Sequence, residues 1–146
     1  MILHADLVVR SMDVALDFYC DKLGFVIVDE ARLHGPIVRN YSDGCYDVLR
    51  LVQIRDSPAG AMIELVEFQP ESALKSNIPS STAHPIWISI LIPDLKAHIS
   101  RLKRKGVHPT SEIFGLRLSK SACEVVFYKD PDGNGLEFLQ LQSSVA

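Results

Sequence analysis

The sequence predicts a mixed α+β fold built from two βαβββ modules in one chain, and three observations predict it. Strand-like and helix-like periodicities run in the order β-α-β-β-β and then start again. A glycine closes the helical segment of each half, Gly24 and Gly106, and each half ends on a glutamate-bearing strand, MIELVEF and GLEFLQL. Internal duplication is the economical explanation, and it implies two modules sharing a cleft.

In the first half, HADLVVR alternates so that His4, Asp6 and Val8 share one strand face and Ala5, Leu7 and Val9 the other. Ser11 reads as the N-cap of a helix over MDVALDFYCDKL, with Val14, Leu16, Phe18, Tyr19 and Leu23 supplying helical spacings and Gly24 the C-cap. FVIVDEAR, YDVLRLVQI and AMIELVEF follow as β-rich runs, separated by the turn-prone NYSDG and DSPAG. Residues 69–83, QPESALKSNIPSSTA, hold no sustained period and read as a linker between a first module, 1–68, and a second, 84–146.

The second half repeats the plan. IWISILI is a strand, and DLKAHISRLKRK a helix with Leu95, Ile99 and Leu102 inward. TSEIFGLRL, CEVVFYK and LEFLQLQ are strands. DPDGNG has the composition of a calcium loop but lacks the spaced acidic ligands that would follow, so it reads as the tight turn before the last strand.

Composition narrows the function. At 146 residues, with 47% hydrophobic and 23% charged residues, the chain suits one compact domain of two small modules. A formal charge of −3 gives no broad basic surface, and Arg101, Lys103, Arg104 and Lys105 read as a solvated helix face, so no nucleic-acid partner is expected. Three cysteines, Cys20, Cys45 and Cys123, cannot all pair internally, and no signal-like segment opens the chain; a reducing, cytoplasmic setting is expected. No apolar run reaches the ~18 residues of a membrane span. Cys123 alternates with Val125 and Phe127 as a core thiol, while His34, His98 and His108 read as surface or boundary residues, His34 being placed to overhang the cleft.

HADLVVRSMDVALDFYCDKLGF and FYKDPDGNGLEFLQL resemble the opening and closing segments of the vicinal oxygen chelate superfamily, which includes glyoxalase I, extradiol dioxygenases and bleomycin-binding resistance proteins. The resemblance spans nearly the whole chain. It implies two βαβββ modules pairing into a U-shaped, incomplete barrel, often in a homodimer, around a cleft for a small-molecule substrate or ligand. It also implies a divalent metal ligated from the first and last strand of each module. By motif, His4 takes the first ligand position, Glu64 the second and Glu137 the fourth.

The third position departs from the family. Counting back from Asp94 gives Trp87, whereas aligning Gly24 with Gly106 gives Ile86; neither is a ligand. His84 lies earlier, before Pro85, on the wrong strand parity and about 10 Å back from a cleft-facing Trp87. The metal site is therefore expected to be reduced or absent: His4, Glu64 and Glu137 would suit Zn, Mn, Ni, Fe(II) or Mg. Glu64 or Glu137 would move a proton, and Asp6 would orient His4, act as a general base, or lie exposed at a twisted strand end. The expected activity is a glyoxalase-like lyase or isomerase acting on a small oxygenated metabolite. Ring cleavage and glutathione transfer to fosfomycin fit less well with one histidine position lost. The alternative is a metal-independent binding protein in which Trp87, with Ser89, Tyr46, Phe127 or Tyr128, stacks on an aromatic or drug-like ligand.

Overall fold

The computed structural model describes residues 4–42, 44–69, 87–117 and 122–142. They fall into two compact units, the first running to Gln69 and the second starting at Trp87. Apart from Gln69, the expected linker 69–83 lies outside the described residues, as does His84.

The first unit holds strands β1 (His4–Val8), β2 (Val26–His34), β3 (Val48–Arg55) and β4 (Met62–Gln69) in one sheet of order β1-β4-β3-β2. β1 and β4 run parallel and the other pairs antiparallel, so the first strand lies beside the last. Helix α1 (Met12–Leu16) starts at Ser11, whose hydroxyl accepts from the Val14 amide. It widens into a π-helical turn over Asp17–Leu23, which the sequence reading took as continuous α-helix. Gly24, at φ 91°, ends it: the Phe25 amide bonds back to the Tyr19 carbonyl and the Gly24 amide to that of Cys20.

Strand alternation divides the first sheet. Leu7, Val52, Ile54, Ile63 and Leu65 share one face and form the core with Met12, Ala15, Phe18 and Tyr19 of the helix, all buried. Each such side chain contributes roughly 1.5–3 kcal/mol on leaving water. The opposite face carries His4, Asp6, Gln53 and Glu64, and beyond them Leu33, Leu49, Leu51, Val66 and Phe68. Over that apolar end sits a short helix, α2 (Pro36–Tyr41), that the strand-only reading of this region did not anticipate. Val38 and Tyr46 complete its cluster.

The second unit repeats the topology with β5 (Trp87–Leu91), α3 (Leu95–Arg104), β6 (Phe114–Arg117), β7 (Ala122–Lys129) and β8 (Gly135–Leu141), in sheet order β5-β8-β7-β6. Both sheets are open and four-stranded, and the two βαβββ modules expected from the sequence are present. Asp94 caps α3 through the Ala97 amide at 2.9 Å, and Leu95 and Leu102 are buried with Ile90, Val126, Tyr128, Leu136 and Phe138. In DPDGNG, Asp130 accepts from the Asp132 and Asn134 amides at 2.9 and 2.7 Å and from the Asn134 side chain at 2.8 Å. Its carboxylate is thereby used by the turn itself.

Candidate functional site

In the first unit the parallel β1–β4 pair sets Asp6 directly opposite Glu64, and His4 stands one pleat away on the same face. One donor atom from each of His4, Asp6 and Glu64 lies within 4.8 Å of the others. Glu64 is only 5% exposed, and its Oε2 accepts from Gln53 Nε2 at 2.8 Å. His4 Nε2 and Asp6 Oδ1 approach to 3.4 Å without hydrogen-bond geometry. His4 Nδ1 and Asp6 Oδ1 are solvent-inaccessible atoms with no hydrogen-bond partner among the described residues.

Two carboxylates and an imidazole so arranged are not at rest with themselves. Like charges about 4 Å apart repel by on the order of 1–4 kcal/mol between bulk and near-surface dielectric, and unpaired buried polar atoms add a desolvation cost. A divalent cation removes both terms, and one nitrogen with two carboxylate oxygens is a donor set that borderline and hard cations accept. The residues therefore fit the metal that the fold implies. Asp6 is a half-buried member of this group; the solvent-exposed strand end considered from sequence is not what forms.

The second unit presents the same register with different chemistry. Trp87 pairs with Gly135, Ser89 with Glu137, and Glu137 with Phe127 on its other side. Position for position, Trp87 corresponds to His4, Ser89 to Asp6, Glu137 to Glu64 and Phe127 to Gln53. Of the two alignments open from sequence, the register selects Trp87. The indole lies over Gly135 so closely that any Cβ there would collide with its ring carbons. Phe127 meets it edge-on at 5.4 Å, and Lys129 Nζ lies 4.6 Å from its ring centre while donating to the Gly133 carbonyl at 3.1 Å. The indole remains 48% exposed, and Ser89 is exposed beside it.

Some expected residues stand elsewhere. Tyr46 is stacked on Phe68 at 5.0 Å within the α2 cluster, so its ring is spent on the core rather than offered to a ligand. Tyr128 alternates to the helix-packed face, fully buried edge-on to Phe138, and burial raises its phenol above the ordinary range. His34 ends β2 on the face away from His4. His98 is a boundary residue, half buried, that packs against Phe138 at 4.3 Å. Glu137 belongs to the second unit, where it pairs with Ser89. Gln53, Gly135 and Lys129 were not foreseen. Their only sequence signal is parity, each falling on the strand face of the glutamates once register is known.

Comparison with known proteins agrees with this architecture. No curated protein matches the sequence. Among solved structures, a glyoxalase family protein from Bacillus cereus superposes with a TM-score of 0.73 at 16% identity, covering 97% of this chain and 94% of that one. An antibiotic-binding protein from Streptomyces sp. gives 0.62 at 20% identity, with 97% and 96% covered. The trypanothione-dependent glyoxalase I of Leishmania major gives 0.62 at 20% identity, with 96% and 86% covered. At such identities these likenesses establish the fold. The sequence profile of one family matches residues 1–138, nearly the whole chain, and the protein belongs to the Glyoxalase/Bleomycin resistance protein/Dioxygenase superfamily.

Proposed function

We propose that the protein is a divalent-cation-dependent lyase or isomerase of the glyoxalase type, acting on a small oxygenated metabolite. The observation that carries this reading is the donor group of His4, Asp6 and Glu64, in which His4 Nδ1 and Asp6 Oδ1 have no hydrogen-bond partner among the described residues. A cation held there would supply Lewis-acid polarisation of adjacent substrate oxygens. Gln53 fixes the Glu64 carboxylate in place. Glu64 is assigned the proton transfer at the carbon next to the polarised oxygen.

A second reading has one specific observation in its favour: the indole is held rigid yet half exposed, which suits stacking on a planar ligand without any cation. That would make the protein one that sequesters an aromatic or drug-like compound; the Streptomyces protein of the same fold is an antibiotic-binding one. Proton exchange separates the two. Incubated in D2O with α-hydroxy and α-keto compounds, the enzyme is expected to exchange the hydrogen on the carbon next to the carbonyl, as followed by NMR. Exchange should stop in chelator and in Glu64→Gln. Absence of exchange for every compound, with aromatic ligands quenching tryptophan emission equally in chelator, would replace the first reading with the second.

A further inference from the structure

Resting on the metal-dependent reading, we infer that Asp6 is itself a ligand, so that the first unit alone supplies three donors, His4, Asp6 and Glu64, for one divalent cation. The register correspondence between the units is the first argument. The second unit keeps only Glu137 at the equivalent positions, since Trp87 stands for the imidazole and Ser89 for the aspartate. The first unit contains a carboxylate where the second has a neutral hydroxyl.

The local geometry is the second argument. Asp6 faces Glu64 across a parallel strand pair and lies one pleat from His4 along its own strand. If Asp6 served only to orient His4, its oxygen would make a well-aligned bond to an imidazole nitrogen. Instead the 3.4 Å approach lacks that geometry, and Asp6 Oδ1 and His4 Nδ1 are both left without a hydrogen bond among the described residues. Glu64 commits one oxygen to Gln53, and no described residue donates to the other. Three protein donors with further positions open is a common arrangement for a catalytic divalent ion.

Calorimetric titration of the full chain with Mn2+ and with Zn2+ tests this, with Co2+ absorption spectra of the same variants beside it. Asp6→Asn, which keeps shape and removes charge, is expected to weaken binding at least 10-fold and to change the cobalt spectrum. Glu137→Gln is expected to stay within twofold of the unaltered protein, and His4→Ala to lose binding. Thermal unfolding in chelator checks that each variant is folded. Unchanged affinity in Asp6→Asn, or loss in Glu137→Gln instead, would overturn the inference and leave the metal-dependent reading standing. Weakened binding with an unaltered cobalt spectrum would make Asp6 an orienting residue and overturn it equally. If the unaltered protein binds no cation, the metal-dependent reading fails and the inference with it.

Discussion

Trp87 holds in the second sheet the place that His4 holds in the first, and Gly135 makes room for it. Strand glycines ordinarily weaken a sheet, because they lose backbone entropy and leave nothing to pack. Here the missing side chain is replaced by an indole from the neighbouring strand, lying where the Cβ would be. Gly135→Ala should therefore dislodge Trp87. We expect a loss of about 1–3 kcal/mol from overpacking. Because Trp87 is the only tryptophan, its emission reports the displacement directly and should move to longer wavelength. Chemical denaturation followed by fluorescence measures both effects, and an unaltered spectrum with unaltered stability would show that the ring is not seated on Gly135. Such a seat was invisible in the sequence, where Gly135 reads as the end of a turn: the contact exists only once β5 and β8 are paired in register.

At the scale of elements, the strands and the longer helix followed from periodicity and caps, and two departures have physical causes. A helix of six residues, Pro36–Tyr41, is too short to display a period; its one signal is a proline at the first helical position after Gly35. The π-helical turn accounts for the ambiguity at Trp87. Gly24 lies 20 positions after His4, whereas Gly106 lies 19 after Trp87. A π turn takes more residues than an α turn, so aligning the two helix ends throws the strands out by one. Helix α3 carries a pH dependence of its own. His98 is pressed onto Phe138, and burial, with the Arg101 guanidinium in second place, lowers its pKa from 6.5 to about 4. The folded state thus holds the ring neutral while the unfolded chain protonates it near 6.5, so the unfolded state binds more protons between those values. Stability should be full above about pH 6.5, fall as pH drops towards 4 and level off below. The loss is roughly 1–2 kcal/mol once solvent screening of a half-buried ring is allowed for. Urea unfolding across pH 3.5–7.5 measures it (a range of about four units chosen to bracket both values), and His98→Leu should flatten this component while leaving the carboxylate contributions.

For the whole molecule, the duplication visible in the sequence carries the functional argument, because it lets each position be compared with its counterpart. Strand parity alone brought His4 and Asp6 to one face, and the glutamates of the closing strands were legible as well. What parity could not supply was the parallel pairing that sets Asp6 against Glu64, which joins strands distant in sequence, nor the hydrogen bond from Gln53, which depends on the register of β3 on β4. The result is one unit with a polar constellation of imidazole and carboxylates and another with an aromatic one. If the first binds a cation only when folded, that cation must stabilise the chain by mass action, whatever the substrate proves to be. At a hundredfold excess over the dissociation constant the gain is about 2.7 kcal/mol. For a chain of this size that raises the melting temperature by roughly 5–10 °C. Differential scanning fluorimetry with Mn2+ or Zn2+ should show the rise, excess chelator should abolish it, and Glu64→Gln should remove it because Glu64 is the most buried of the donors. A melting temperature indifferent to every divalent ion would mean that the group of His4, Asp6 and Glu64 holds no cation. The aromatic unit would then be the working half of the molecule, and ligands would have to be sought among planar compounds.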